Sequence, residues 1–97
     1  MNMQALMQQA QKMQKDLMKK KEEVNKKEFT GTSELVDVVF TGDKKLVSVN
    51  IKQDIDKDDK EIIEDMFVIA VNDAMAKIDK ETESAFGAYG NQLGGLF

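Results

Sequence analysis

Apolar residues recur through the first part of the chain at Met3, Leu6, Ala10, Met13, Leu17 and Val24, in steps of three and four with one gap where Lys20 stands. That spacing keeps them on one side of a helix, so residues 1–28 are predicted to form a single amphipathic helix. About 25 residues at 1.5 Å each make roughly 37 Å, more than the rest of so short a chain can cover. Part of this helix is therefore expected to project or to meet a second chain. At Phe29 the period changes to two: Val36, Val38 and Phe40 fall on one strand face, then Val47, Val49 and Ile51 on a face of the next. Thr41-Gly42-Asp43-Lys44 between them supplies a turn, in which Gly42 is able to take positive φ at little cost. Phe29-Thr30-Gly31-Thr32-Ser33 reads as a third, shorter strand, with Gly31 marking a bend or bulge. Residues 29–53 thus form an antiparallel three-stranded sheet.

The polar run from Asp54 to Asp59 ends the sheet, and Asp58 is expected to cap a second helix, with Glu61 three residues on completing a capping box. This helix, residues 58–85, carries a wide apolar stripe of Ile62, Ile63, Met66, Phe67, Ile69, Ala70, Val71, Ala74, Met75 and Ile78. It is wide enough to cover a sheet face and still meet another element. Residues 86–97 hold four of the six glycines, lack strong periodicity and are predicted to be a flexible tail. The fold class is α+β, one domain over residues 1–97: long helix, three-stranded sheet, long helix, Gly-rich tail.

Charge is distributed unevenly over these elements. The chain carries a net −4, yet residues 1–28 set seven lysines against Asp16, Glu22, Glu23 and Glu28, while the remainder sets seven against fourteen acids. A polyanion would meet the first helix first. There is no Cys, His, Trp, Pro or Arg, which excludes disulfides, thiolate metal sites and His- or Cys-based catalysis. Ser33, Ser48 and Ser84 have no partner pattern, so no catalytic residue and no cofactor is assigned. Asp54, Asp56 and Asp58 imitate the opening of a calcium loop. Asp59, however, stands where that loop needs Gly, and Asp65 where it needs Glu, so no metal site is assigned either. No apolar run approaches the ~20 residues of a membrane span, and a cytoplasmic protein is expected.

The order of these segments resembles the YbaB/EbfC family of bacterial nucleoid-associated proteins. Four pieces carry the resemblance: Leu6-Met7-Gln8-Gln9-Ala10-Gln11-Lys12-Met13-Gln14, the hairpin from Val36 to Ile51, Val71-Asn72-Asp73-Ala74, and Gly94-Gly95-Leu96-Phe97. The resemblance implies an intertwined cytoplasmic homodimer at the nucleoid, with projecting helices like tweezers, that binds double-stranded DNA and is not an enzyme. Two features depart from the family pattern: arginine is absent, and Thr32-Ser33-Glu34 replaces a Gly-rich stretch before the second strand.

Lys12, Lys15, Lys19 and Lys26 stand three, four and seven residues apart and share one helix face away from the apolar stripe. On charge alone, a solvated face is the plainer account of such a ladder. The resemblance tips the reading toward phosphate contact, with low sequence specificity because lysine is a point charge without the bidentate fork of arginine. Gln4, Gln8 and Gln11 fit exposed helix formers. Five of the seven methionines lie in the first 18 residues. Their helical spacing favours a dimer seam through Met3, Leu6, Ala10, Met13 and Leu17 over a surface for varied protein partners. The rival reading is a protein-interaction module without significant DNA binding: either prefoldin-like, holding apolar clients, or an adaptor for other DNA-handling proteins.

Overall fold

The computed structural model describes residues 2–87. Helix α1 (Met3–Lys26) leads into strands β1 (Glu28–Thr32), β2 (Val36–Thr41) and β3 (Leu46–Ile51), then a 3-10 turn (Lys57–Asp59) and helix α2 (Lys60–Phe86). The strands form one antiparallel sheet in the order β1-β2-β3.

The core lies between α2 and the first two strands. Val36, Val38 and Phe40 of β2 and Phe29 of β1 meet Ala70, Ala74 and Ile78 of α2, all buried. Leu35, Ile63, Met66, Phe67, Val71 and Met75 pack around them. Alternation in β2 and a four-residue step in α2 therefore do what their periods predict. Gly31 has a different task from the bend expected of it. It pairs regularly with Val38, and a Cβ there would lie 2.0 Å from the Ala70 carbonyl oxygen, so its role is to let α2 approach the sheet.

The irregularity falls in β3 instead. Val39 pairs with Ser48 but Phe40 with Leu46, which makes Val47 the extra residue of a bulge. Leu46, not Val47, thus stands opposite Phe40 and joins Val49 and Ile51 across from the buried residues of β2. The turn falls where the sequence places it, and Lys44, at φ 66°, takes the left-handed conformation while Gly42 does not use its freedom to do so. The Lys44 N–H donates to the Thr41 carbonyl and the Thr41 N–H to that of Lys45, so a turn followed by a left-handed residue closes the loop.

The α2 entry is likewise not capped as expected. Asp58 lies inside the 3-10 turn, Asp59 is the α2 N-cap residue, and neither Asp56 nor Asp59 makes a side-chain cap hydrogen bond. Backbone does the work, with Asp59 N–H donating to the Asp56 carbonyl at 2.9 Å. The side-chain cap is on α1, where Asn2 accepts from Gln4 N–H at 3.0 Å. At the other end α2 extends to Phe86, which is buried and so belongs to the body rather than to a tail. Gly87, the next residue of the expected tail, is the C-cap of α2, and residues 88–97 lie outside the described residues.

The molecule extends 71 Å along its long axis and only 20 and 16 Å across. Its radius of gyration is 19.0 Å, against about 13 Å for a compact chain of this length. The excess comes from α1. Leu17 and Val24 pack on Phe86 and Ala85, whereas Met3, Leu6, Ala10 and Met13 are exposed. These four do not belong to the core of the single chain.

Candidate nucleic-acid interface

The free part of α1 is an arm. From Met3 to Asp16 every residue is exposed, a stretch of about 21 Å at 1.5 Å per residue. Lys12, Lys15, Lys19 and Lys26 fall within an arc of about 60° at 100° per residue, on the side of α1 away from Leu17 and Val24. The four are therefore brought onto one solvent-facing row, as the spacing predicts. They are not equivalent. Lys26 pairs with Glu22 at 3.0 Å, while Lys12, Lys15 and Lys19 hold no ion pair among the described residues. The exposed i,i+4 pair is weak and screened, so Glu22 dilutes the positive field at Lys26 without fixing the side chain.

The base of the arm is held at three points. Gly42 of the hairpin donates its N–H to the Lys27 carbonyl at 2.9 Å, and Lys27 Nζ reaches Glu81 of α2 at 2.7 Å. Between them Val24 is buried against Phe86. Gly42 is essential to this fit, since a Cβ there would sit 1.8 Å from the Val24 carbonyl oxygen.

A polar clasp joins the far end of β1 to α2. Thr32 N–H donates to Asp73 Oδ2 at 2.9 Å, and the Thr32 hydroxyl donates to Asp37 Oδ1 at 2.6 Å. Lys77 Nζ donates to the Thr30 carbonyl at 2.7 Å and pairs with Asp73 at 3.1 Å. Lys52 pairs with Asp37 at 3.1 Å. The Thr32 N–H, and after it Lys77, hold the Asp73 carboxyl below the ordinary carboxylate range. The Thr32 hydroxyl, then Lys52, do the same for Asp37. Asp73 and Lys77 occupy backbone groups of β1 that would otherwise be open along its edge. Composition gave no hint of this clasp; the only trace in the sequence is that Asp73 and Lys77 stand one helical turn apart.

The opposite edge carries no such cover. Every residue of β3 is exposed, with Leu46 at 49%, Val49 at 43% and Ile51 at 41% relative exposure. No group of three or more acidic side chains among the described residues could hold a metal ion. No helix among them is long and apolar enough to cross a membrane.

Residues 1–93 match the model of the YbaB/EbfC DNA-binding family. The chain belongs to this family. Among curated relatives, a protein of Enterococcus faecalis (strain ATCC 700802 / V583) named nucleoid-associated protein is 45% identical over 98 residues, covering 98% of this chain and 94% of its own. A nucleoid-associated protein of Streptococcus suis (strain 05ZYH33) is 47% identical over 96 residues, covering 96% of this chain and 97% of its own. The crystal structure of an uncharacterized Helicobacter pylori protein superposes with a TM-score of 0.74, covering 91% of this chain and 97% of that one at 24% identity. That likeness shows a common fold. The family is a DNA-binding one rather than an enzyme family.

Proposed function

We propose that this YbaB/EbfC protein binds double-stranded DNA at the nucleoid of the bacterial cytoplasm, as a homodimer, through the lysine row of α1. One observation carries the site: Lys12 and Lys15 on the free arm, and Lys19 where α1 seats on the acidic body, share one exposed helix face and hold no ion pair among the described residues. Lys26, paired with Glu22, is a secondary contact. The mechanism is electrostatic. Each lysine that neutralises a phosphate releases condensed counterion, so the logarithm of the affinity falls linearly with log salt. Without arginine the planar fork that most often reads guanine is missing, and the arms track the backbone more than the bases.

The dimer follows from what the single chain leaves open. Leu46, Val49 and Ile51 continue the core face of the sheet beyond the reach of α2, and Met3, Leu6, Ala10 and Met13 line one side of the arm. A second copy covers both and duplicates the lysine row. The experiment is fluorescence anisotropy of a random-sequence duplex against salt, for the wild type and for Lys12→Gln, Lys15→Gln, Lys19→Gln combined. Steep salt dependence lost in the triple variant supports the site; unchanged affinity in that variant sinks it.

The exposed methionines, Met3 at 75% and Met18 at 66%, favour one second reading, an apolar client surface on the arm. Client binding persists or strengthens with salt where lysine-phosphate binding collapses, so the same titration separates the two.

A further inference from the structure

Lys12 and Lys15 are attached to the body only through the last turns of α1, which carry Lys19 and Lys26, and that attachment has a specific construction. Leu17 and Val24 seat on Phe86 and Ala85. The hairpin turn closes on the helix end through Gly42 N–H to the Lys27 carbonyl at 2.9 Å, and Lys27 ties to Glu81 at 2.7 Å. Two elements distant in sequence, the β2–β3 turn and the end of α2, thus grip the same turn of α1. The fit leaves no slack: Gly42 presents only a hydrogen to the Val24 carbonyl, and an added Cβ would lie 1.8 Å from it. With that seat loosened, α1 pivots where it joins the body at Lys27, so a tilt of about 10° displaces Lys12, about 22 Å away, by roughly 4 Å and Lys19 by roughly 2 Å. That exceeds the few tenths of an ångström over which a hydrogen bond keeps its geometry, so the row shifts as a whole against the phosphates.

We infer that the Gly42–Val24–Phe86 joint is a positioning device that fixes the direction of the arm, so that lysines on both arms of the dimer engage one duplex at once. This rests on the DNA reading above, and it makes Gly42 and Phe86 determinants of DNA binding although neither touches DNA. Multivalent contact pays off only when geometry lets all sites engage together. A loosened joint leaves every lysine present but lets one arm bind without the other.

The absence of cysteine allows a direct test. Spin labels at Gln9→Cys on the arm and Glu64→Cys on α2 report the arm-to-body distance by pulsed EPR, in full-length protein diluted with unlabelled chain so that only intramolecular pairs count. The wild type should give one narrow distance distribution. Gly42→Ala, which pushes the turn off the helix, and Phe86→Ala, which empties the seat, should each broaden it, and Phe86→Leu should restore much of the narrowness. In parallel, the salt dependence of DNA binding should fall to about half the wild-type slope in the two disruptive variants. A broad wild-type distribution overturns the joint. So do distributions in both disruptive variants as narrow as the wild type, whatever the DNA result. Broadening with an unchanged salt slope overturns the link from arm direction to DNA. Failure of the wild type to bind DNA at low salt instead refutes the DNA reading, and the distances then still decide whether the joint sets the arm.

Discussion

At Gly31 the backbone of β1 passes so close to α2 that a Cβ would lie 2.0 Å from the Ala70 carbonyl oxygen and 2.7 Å from the Ala74 Cβ. A helix backbone cannot step aside as a flexible side chain can. Gly31→Ala is therefore expected to cost about 2–3 kcal/mol, the upper part of the overpacking range, seen as a lower urea midpoint at unchanged slope. Lys44 presents the reverse case. At φ 66° it carries a strain of about 1–2 kcal/mol, so Lys44→Gly should stabilise the chain by about 0.5–1 kcal/mol once the extra freedom of unfolded glycine is subtracted. A lower melting temperature in this variant would mean that the Lys44–Asp79 pair outweighs the strain. Asp73 ties the fold to pH. Its carboxyl is held below the ordinary value of 3.8 by the Thr32 N–H and then Lys77. The unfolded chain therefore takes up the proton first as pH falls. The stability from this contact is complete above 3.8 and is lost as pH drops through the lower folded value. Asp73→Asn should melt closer to the wild type in strong acid than at neutral pH; an equal gap at both would refute the linkage.

Periodicity shows an element when one period governs the whole of it, and α1 and β2 meet that condition. The stripe from Met3 to Val24 gave a helix that runs from Met3 to Lys26, and Val36, Val38 and Phe40 alternate into the core. Where a contact from elsewhere sets the local geometry, the pattern misleads. The bulge at Val47 follows from pairing with β2, and nothing within Leu46-Val47-Ser48-Val49 announces it. Gly42 looks like a residue chosen for positive φ, but it is needed for the approach of Val24, which stands in another element. Asp58 sits in a capping pattern that the 3-10 turn makes unnecessary. The lysine row was legible because it lies on one helix and depends on no tertiary contact. Spacing offers Lys26 a partner one turn away in Glu22 and Lys12 one in Asp16; what it could not show is that only the first pair forms, which leaves Lys12, Lys15 and Lys19 without an ion pair among the described residues. From this follows an unequal result on α1. Lys12→Gln, Lys15→Gln and Lys19→Gln, made singly, should each flatten the salt dependence of DNA binding by about two contacts per dimer. Lys26→Gln should flatten it by less. Equal effects at all four positions would show that Glu22 gives way fully to phosphate.

An elongated chain with one covered sheet edge and one open edge has a direction in which to associate. Asp73 and Lys77 close β1, while β3 presents Leu46, Val47, Val49 and Ile51 without a charge anywhere in the strand. Two copies can therefore meet there without like-charge repulsion. Burying the exposed halves of Leu46, Val49 and Ile51 is worth roughly 1 kcal/mol each. Doubled by symmetry, that makes roughly 6 kcal/mol, which lies low in the 4–15 kcal/mol that association costs. The strand alone is too small an interface for a stable dimer. The proposed dimer therefore needs the apolar side of the arm, Met3, Leu6, Ala10 and Met13, as well, which would join dimerisation to the element that carries the lysines. Val49→Lys tests that connection. The residue is exposed in the single chain, so the substitution should leave the circular dichroism spectrum intact while placing two like charges in the seam. If the proposed dimer forms through this strand, analytical ultracentrifugation should find the mass of two chains for the wild type and of one chain for the variant. The added positive charge by itself favours DNA, so a fall of the salt slope to about half, found together with the mass of one chain, reports loss of the second lysine row. A variant that stays dimeric would move the seam away from β3 and leave the arms as the place where the copies meet.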